Sequence, residues 1–211
     1  VGRGTSQIGV NRREQKPGGE VTLGENPGGP IDREVILTTL VSESGKSIAD
    51  ICSFATHGTV MGGDSYQISG DWCGLASVQI ESDSQAPFLF MNGGSANVNP
   101  VGRSRPSRFD IAHTHADTFT ADISTTRQSS KDQAADESVT GKFATIELPR
   151  KQRDIEEGMG RTRRVRIHGV RIGPLRIVGF PGEVFSETAM AVKEAEPSEA
   201  TAVNSYTKGG S

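Results

Sequence analysis

The chain has 211 residues, with 23 lysines and arginines against 26 aspartates and glutamates, and a formal net charge of −3. That length allows one domain with a substantial core. The near-balanced charge gives no ground for a nucleic-acid or membrane-surface partner, and no apolar run approaches the roughly 20 residues that span a bilayer.

Only 5% of residues are aromatic and 26 are glycine, which fits a loop-rich α/β protein better than a helical bundle. The two cysteines, Cys52 and Cys73, make no disulfide scaffold and are expected as free buried thiols.

Residues 1–34 are rich in Gly and Pro and carry the polar run Asn11-Arg12-Arg13-Glu14-Gln15-Lys16. The segment reads as a covering loop with one short strand near Val21–Leu23. Arg12 and Arg13 can either reach an anionic group or sit in a solvated turn. Glu34–Val41 is β-branched and apolar and predicts a strand. A tight turn at Ser42–Lys46 returns the chain into a second strand, Ile48–Ala55.

That strand runs into Phe54-Ala55-Thr56-His57-Gly58-Thr59, and Gly58–Ser69 reads as a loop. Helix Asp71–Glu81 follows, capped by Ser69 or Asp71, with Trp72, Leu75, Ala76 and Ile80 on its apolar face. His57 therefore lies past a strand end and beside a helix start, where open α/β sheets place their chemistry. Alone, one histidine there reads more readily as a satisfied loop residue than as a ligand.

Ala86–Met91 predicts a buried strand, and Asn92–Pro100 a Gly- and Asn-rich loop able to bind an anion or polarise a carbonyl, or to serve as a plain turn. Arg108–Ile123 predicts a helix with Phe109, Ala112, Ala116 and Phe119 on one face. His113 and His115 lie inside it, two apart, so they do not face the same way. Residues 124–138 read as an exposed loop and Lys142–Leu148 as an alternating strand.

Arg161, Arg163, Arg164, Arg166 and Arg171 alternate with Val165, Ile167 and Val170. They read as the wet face of a half-buried strand, without the aromatic residues of a nucleic-acid stripe. Val165–Ile172 and Leu175–Phe180 form a hairpin around Gly173-Pro174, and Val184–Glu194 a helix. Glu183 falls at that strand-to-helix junction, where its simplest role is to favour the helix dipole. The expected class is α/β: a mixed β-sheet core with flanking helices and long Gly-rich loops. Pro197–Ser211 reads as a polar tail, and the chain forms one domain over 1–211, read as incomplete at both ends, since it begins at Val1 and stops in Thr207-Lys208-Gly209-Gly210-Ser211.

Taken in order, these pieces resemble the N-terminal catalytic domain of the neutral/alkaline, non-lysosomal ceramidase family. Asn11-Arg12-Arg13 is similar to the family's Asn-Arg element. Gly29-Pro30-Ile31-Asp32-Arg33-Glu34-Val35 is similar to the segment before its first hairpin. Phe54-Ala55-Thr56-His57 resembles the strand with a zinc-binding histidine. Ser69-Gly70-Asp71-Trp72-Cys73-Gly74-Leu75-Ala76 resembles the following helix start. Asn92–Pro100 is similar to its Gly-rich loop, and Ile177-Val178-Gly179-Phe180-Pro181-Gly182-Glu183 to its Pro-Gly-Glu element.

The resemblance implies zinc held by His57 and Glu183, with Tyr206 in the region of a tyrosine ligand. The family's further zinc histidine lies ahead of the Asn-Arg element, outside this sequence. Imidazole nitrogen and carboxylate oxygen suit Zn²⁺, which would polarise an amide carbonyl and activate water. Arg12 would help to hold the substrate, a small-molecule or lipid amide.

One departure concerns the nucleophile: Asn99 stands where the family has its serine, and Asn97 where it has an aspartate. An amide is no nucleophile at neutral pH, though Asn99 can hydrogen-bond substrate or water; Ser95 is nearby but out of register. The expected function is a zinc-dependent hydrolase of an N-acyl bond. The alternatives are an inactive ceramidase-like binding or scaffold domain, and an α/β module whose Gly-rich loop takes a small anion. A secreted or periplasmic location is implied by the resemblance alone.

Overall fold

The computed structural model describes residues 1–103, 108–130, 138–197 and 200–207. In chain order the strands are β1 (Gly2–Thr5), β2 (Gly9–Gln15), β3 (Val21–Asn26), β4 (Glu34–Val41) and β5 (Ser47–Phe54). Helix α1 (Asp71–Ser84), β6 (Phe88–Asn92), β7 (Val98–Pro100) and α2 (Phe109–Gln128) follow. The last third holds β8 (Val139–Pro149), α3 (Gln152–Glu156), β9 (Thr162–Ile172), β10 (Leu175–Gly179), α4 (Ser186–Glu194) and β11 (Ala200–Asn204).

Three sheets form, ordered β1-β4-β5-β6, β3-β2-β7 and β11-β10-β9-β8. Pairing is antiparallel except β5 with β6 and β10 with β11. Mixed sheets with flanking helices are the α/β architecture read from the sequence.

Alternation in β4 and β5 sets the layers, because successive side chains point to opposite faces. Val35, Leu37, Cys52 and Phe54 face a core with Trp72, Ala76 and Ile80 of α1 and Ala112, Ala116, Phe119 and Ile123 of α2. Ile36 and Ile51 face the other way, onto Leu175 of β10 and Ala200 and Ala202 of β11. The order is therefore helices, sheet, sheet. The Phe119 ring lies 5.2 Å from both Phe54 and Trp72, fixing both helices over the end of β5 where His57 emerges. The far end of α2 is tied by Arg127, whose guanidinium grips fully buried Asp50 of β5 through bonds of 3.0 and 2.8 Å.

The structure corrects four expectations. Residues 1–34 form β1, β2 and β3 rather than a covering loop with one strand; β1 pairs with β4, and β2 bridges β3 and β7. Their residues are mostly polar or glycine, so burial periodicity was not visible, yet edge pairing needs only backbone groups. Helix α2 continues through 124–128, part of the predicted exposed loop; residues 131–137 of that loop lie outside the described residues. Strand β11 forms in the stretch read as a polar tail, completing a parallel pair with β10; of that tail, 198–199 and 208–211 lie outside the described residues. Strand β8, read as an alternating strand over Lys142–Leu148, runs Val139–Pro149 and is exposed along all its eleven residues, because among the described residues it pairs with β9 alone.

Candidate functional site

His57 is placed by backbone on both sides. Its N–H donates to the Val98 carbonyl at 3.4 Å, and its own carbonyl accepts the Trp72 indole N–H at 2.9 Å. The imidazole Nδ1 lies 2.9 Å from the same Val98 carbonyl. A carbonyl can only accept, so Nδ1 carries the hydrogen, and in the neutral ring Nε2 presents its lone pair. The β7 strand thus selects the histidine tautomer, as partners of metal-binding histidines do.

The start of α1 holds the loop beside His57. Gly70 takes the cap position without a side chain, and neighbours supply the oxygens. Ser69 Oγ accepts from the Asp71 N–H, and Asp71 accepts from the N–H groups of Trp72 and Met61. Asp71 adopts φ 56°. Left-handed backbone in a non-glycine residue costs free energy, and such residues gather at functional sites.

Glu183 comes from the other sheet. Strand β10 ends at Gly179, and Gly182, at φ 116°, makes a turn open to glycine but strained for other residues. The turn points Glu183 back toward His57. His57 Nε2 and Glu183 Oε2 are 3.5 Å apart, and Arg12 Nη2 is 3.7 Å from the same oxygen. Tyr206, just past β11, donates its phenol hydrogen to Glu183 Oε1 at 2.9 Å. Partial burial, then the hydrogen bond and charge of Glu183, push the Tyr206 phenol up to about 12. Tyr206 also has positive φ, 65°.

Four residues singled out in the sequence, Arg12, His57, Glu183 and Tyr206, therefore meet at one place. They come from β2, the β5 exit, the β10–α4 turn and the β11 exit. Asn99 sits next to Val98 in β7, buried to 5% exposure, with its Oδ1 lacking a hydrogen-bond partner among the described residues. Asn97, at the family's aspartate position, is structural: it bridges Glu187 and the Ser186 N–H of α4. Ser95 is fully buried. His113 is exposed on α2, and His115 binds the Val101 carbonyl, so the two do not converge.

Among the described residues no group of three or more His, Cys, Asp and Glu side chains could hold a metal ion. The available set is one imidazole, one carboxylate and one phenol. Within it the His57–Glu183 pair has the spacing of two zinc donors: donors sharing a tetrahedral Zn²⁺ with bonds near 2.1 Å lie about 3.4 Å apart, close to the 3.5 Å between His57 and Glu183. With His57 neutral, two lone-pair atoms face each other there, an arrangement that a cation or a proton relieves. Val98, Asp71 and Trp72 were missed as site residues. The only signal for them was the strand–loop–helix context: Val98 acts through its backbone carbonyl, Trp72 through its indole N–H and Asp71 through a carboxylate that straps the loop.

The layered α/β fold with its imidazole–carboxylate–phenol cluster defines a chain with the fold of the neutral ceramidases. It matches the crystal structure of neutral ceramidase from Pseudomonas aeruginosa with TM-score 0.69 and 16% identity, covering 97% of this chain and 44% of that one. A ceramidase complexed with C2 matches with TM-score 0.70 and 16% identity, covering 97% and 46%. The chain thus spans less than half the length of these structures. No family model matches the sequence, and no curated protein sequence matches it.

Proposed function

We propose that this chain is a zinc-dependent hydrolase domain that cleaves an N-acyl amide bond, with a ceramide-like lipid amide as its substrate class. The observation that carries this reading is the approach of His57 Nε2 to Glu183 Oε2 at 3.5 Å, with the Tyr206 phenol on the second carboxylate oxygen. His57, Glu183 and Tyr206 would hold the metal. When bound, zinc supplies a Lewis acid for the amide carbonyl and lowers the pKa of water.

This chain's own residues orient and bind. The Val98 carbonyl holds the His57 hydrogen on Nδ1 and frees Nε2. Arg12, 3.7 Å from Glu183, steadies that carboxylate and offers its guanidinium to the carbonyl oxygen or carboxylate product. Asn99 brings no nucleophile. Its buried Oδ1, without a partner among the described residues, is an acceptor for a bound water.

Asn99 also supports a second reading, a ceramidase-like domain that binds lipid amide without cleaving it. Elemental analysis of the purified chain beside His57→Ala tests the metal site. Near-stoichiometric zinc lost in the variant supports the hydrolase reading, and equal zinc in both removes the site assignment. Release of fatty acid from an N-acylated sphingoid base then separates hydrolysis from binding.

A further inference from the structure

Residues 92–98, from the end of β6 into β7, touch each part of the chain that brings a residue to the site. The Asn92 carbonyl accepts the Ser205 N–H at 3.2 Å, next to Tyr206, and the Gly93 carbonyl accepts the Ser205 hydroxyl at 2.8 Å. The Ala96 N–H donates to the Val184 carbonyl at 3.0 Å, one residue past Glu183. The Val98 carbonyl holds His57. These contacts use the segment's own backbone, which a substitution leaves in place. Asn97 differs, because its side chain makes two more.

Asn97 is fully buried. Its carbonyl accepts the Arg12 N–H at 2.7 Å. Its Oδ1 accepts the Ser186 N–H at 2.9 Å, and its Nδ2 donates to Glu187 Oε2 at 2.8 Å. The amide has one orientation, since one end meets a donor and the other a carboxylate. Helix α4 has no side-chain cap at Phe185, and the first N–H groups of a helix take their acceptors from outside it. Asn97 supplies one and grips the first-turn Glu187 as well. A buried polar group with all its partners rigidifies what it joins. Val184 and Phe185 alone separate Glu183 from this clamp, so a shift at the start of α4 moves Glu183 against His57.

We propose that Asn97 is a positioning residue for Glu183: by clamping the first turn of α4 it sets the carboxylate's place beside His57 and Tyr206. What the His57–Glu183 pair is for rests on the hydrolase reading. On that reading, losing an outer group that orients a ligand costs about ten- to a hundredfold in metal affinity. The positioning itself is a property of the metal-free chain.

The test is NMR of the metal-free chain with tyrosine isotope-labelled at Cζ, at neutral pH, where the phenol is protonated. The chain has two tyrosines, and Tyr66→Phe identifies the Tyr206 signal. Tyr206 donates to Glu183 Oε1, and Glu183→Ala gives the position of its signal without that bond. In Asn97→Leu, whose side chain has neither donor nor acceptor, the signal should move most of the way to that position. In Asn97→Asp/Glu187→Gln it should return toward wild type, because the new carboxylate accepts both the Ser186 N–H and the new amide. Should Asn97→Leu not fold, Glu187→Ala, at an exposed position, should move the signal the same way by less. A signal that stays in place in the folded variant overturns the proposal. So does one displaced equally in the reversed pair, or one identical in wild type and Glu183→Ala. No metal enters the experiment, so the hydrolase reading can fail on zinc analysis without touching this result.

Discussion

His57 Nε2 stands 3.5 Å from Glu183 Oε2 across the seam between two sheets. The two residues are 126 positions apart, and nothing in either local sequence fixes that distance. It is set by Ile36 and Ile51 packing on Leu175, Ala200 and Ala202, which clamps the β5 exit against the turn after β10. The site's geometry is thus a product of the inter-sheet core.

Removing either end of this pair should remove zinc. His57→Ala and Glu183→Gln should each fall well below stoichiometric metal by elemental analysis while unfolding cooperatively. Tyr206→Phe keeps the ring but loses the oxygen, so zinc should be retained only at higher free concentration. Metal content unchanged in all three variants would mean that any bound zinc sits elsewhere.

The Tyr206 phenol gives the site an optical reporter. The chain has two tyrosines, so in a Tyr66→Phe background the ultraviolet titration follows Tyr206 alone. Its midpoint in metal-free protein should lie near 12, against about 10 for an ordinary tyrosine. Glu183→Gln should lower it only in part, since burial is the larger cause. A phenol that holds its proton more tightly when folded adds stability below pH 10, and that contribution is lost as the pH rises toward 12. A midpoint at the ordinary value would show that the Tyr206–Glu183 bond does not form.

How much of this could be read beforehand differs by element. Strands β4 and β5, helix α1 and the β9–β10 hairpin were legible, because burial on one or both faces wrote apolar periodicity into their residues. So were His57 and Glu183, each at a strand exit. Strands β1 and β2 were not, because Gly2, Arg13 and Glu14 make backbone pairs that leave no apolar trace, whereas β3 matches the short strand read near Val21–Leu23. Strand β11 is five small or polar residues, Ala200–Asn204, made a strand by the parallel edge of β10.

The Arg127–Asp50 pair should dominate the response of the fold to surface-neutral mutation. Asp50 is fully buried and also accepts the Thr39 hydroxyl at 2.6 Å. Arg127→Met would leave that carboxylate without its guanidinium, at a cost of about 3–5 kcal/mol. Arg127→Met/Asp50→Asn should recover much of the loss, because the buried charge is gone. Denaturant unfolding of the two variants measures both; a loss under 1 kcal/mol for the single change would place Asp50 in water.

Gly94 lies where the loop after β6 meets α4. A Cβ built there would come within 2.5 Å of the Ala189 Cβ and 3.1 Å of the Phe185 carbonyl. Gly94→Ala must therefore push α4 outward, an overpacking cost of about 1–3 kcal/mol. Because α4 follows directly on Glu183, zinc affinity should fall together with stability. A variant of wild-type stability would show that α4 is free to shift.

The two thiols should be silent at neutral pH. Cys52 is fully buried in β5, and burial first, then the nearby Asp50 charge, raises its pKa strongly. Cys73 is raised by burial and then by Asp71, and its thiol donates to the Gly70 carbonyl at 3.1 Å. The thiolate is the reactive form, so a thiol reagent should count both only after denaturation. Both groups hold their protons more tightly folded than unfolded. Their contribution is complete below the ordinary thiol pKa of about 8.5 and is lost as pH climbs above it. Unfolding free energy should therefore fall through the alkaline range, and Cys52→Ala should reduce that slope even as its cavity lowers stability at pH 7. Rapid labelling of the native chain at neutral pH would place Cys73 at an open helix end and detach the loop that carries His57.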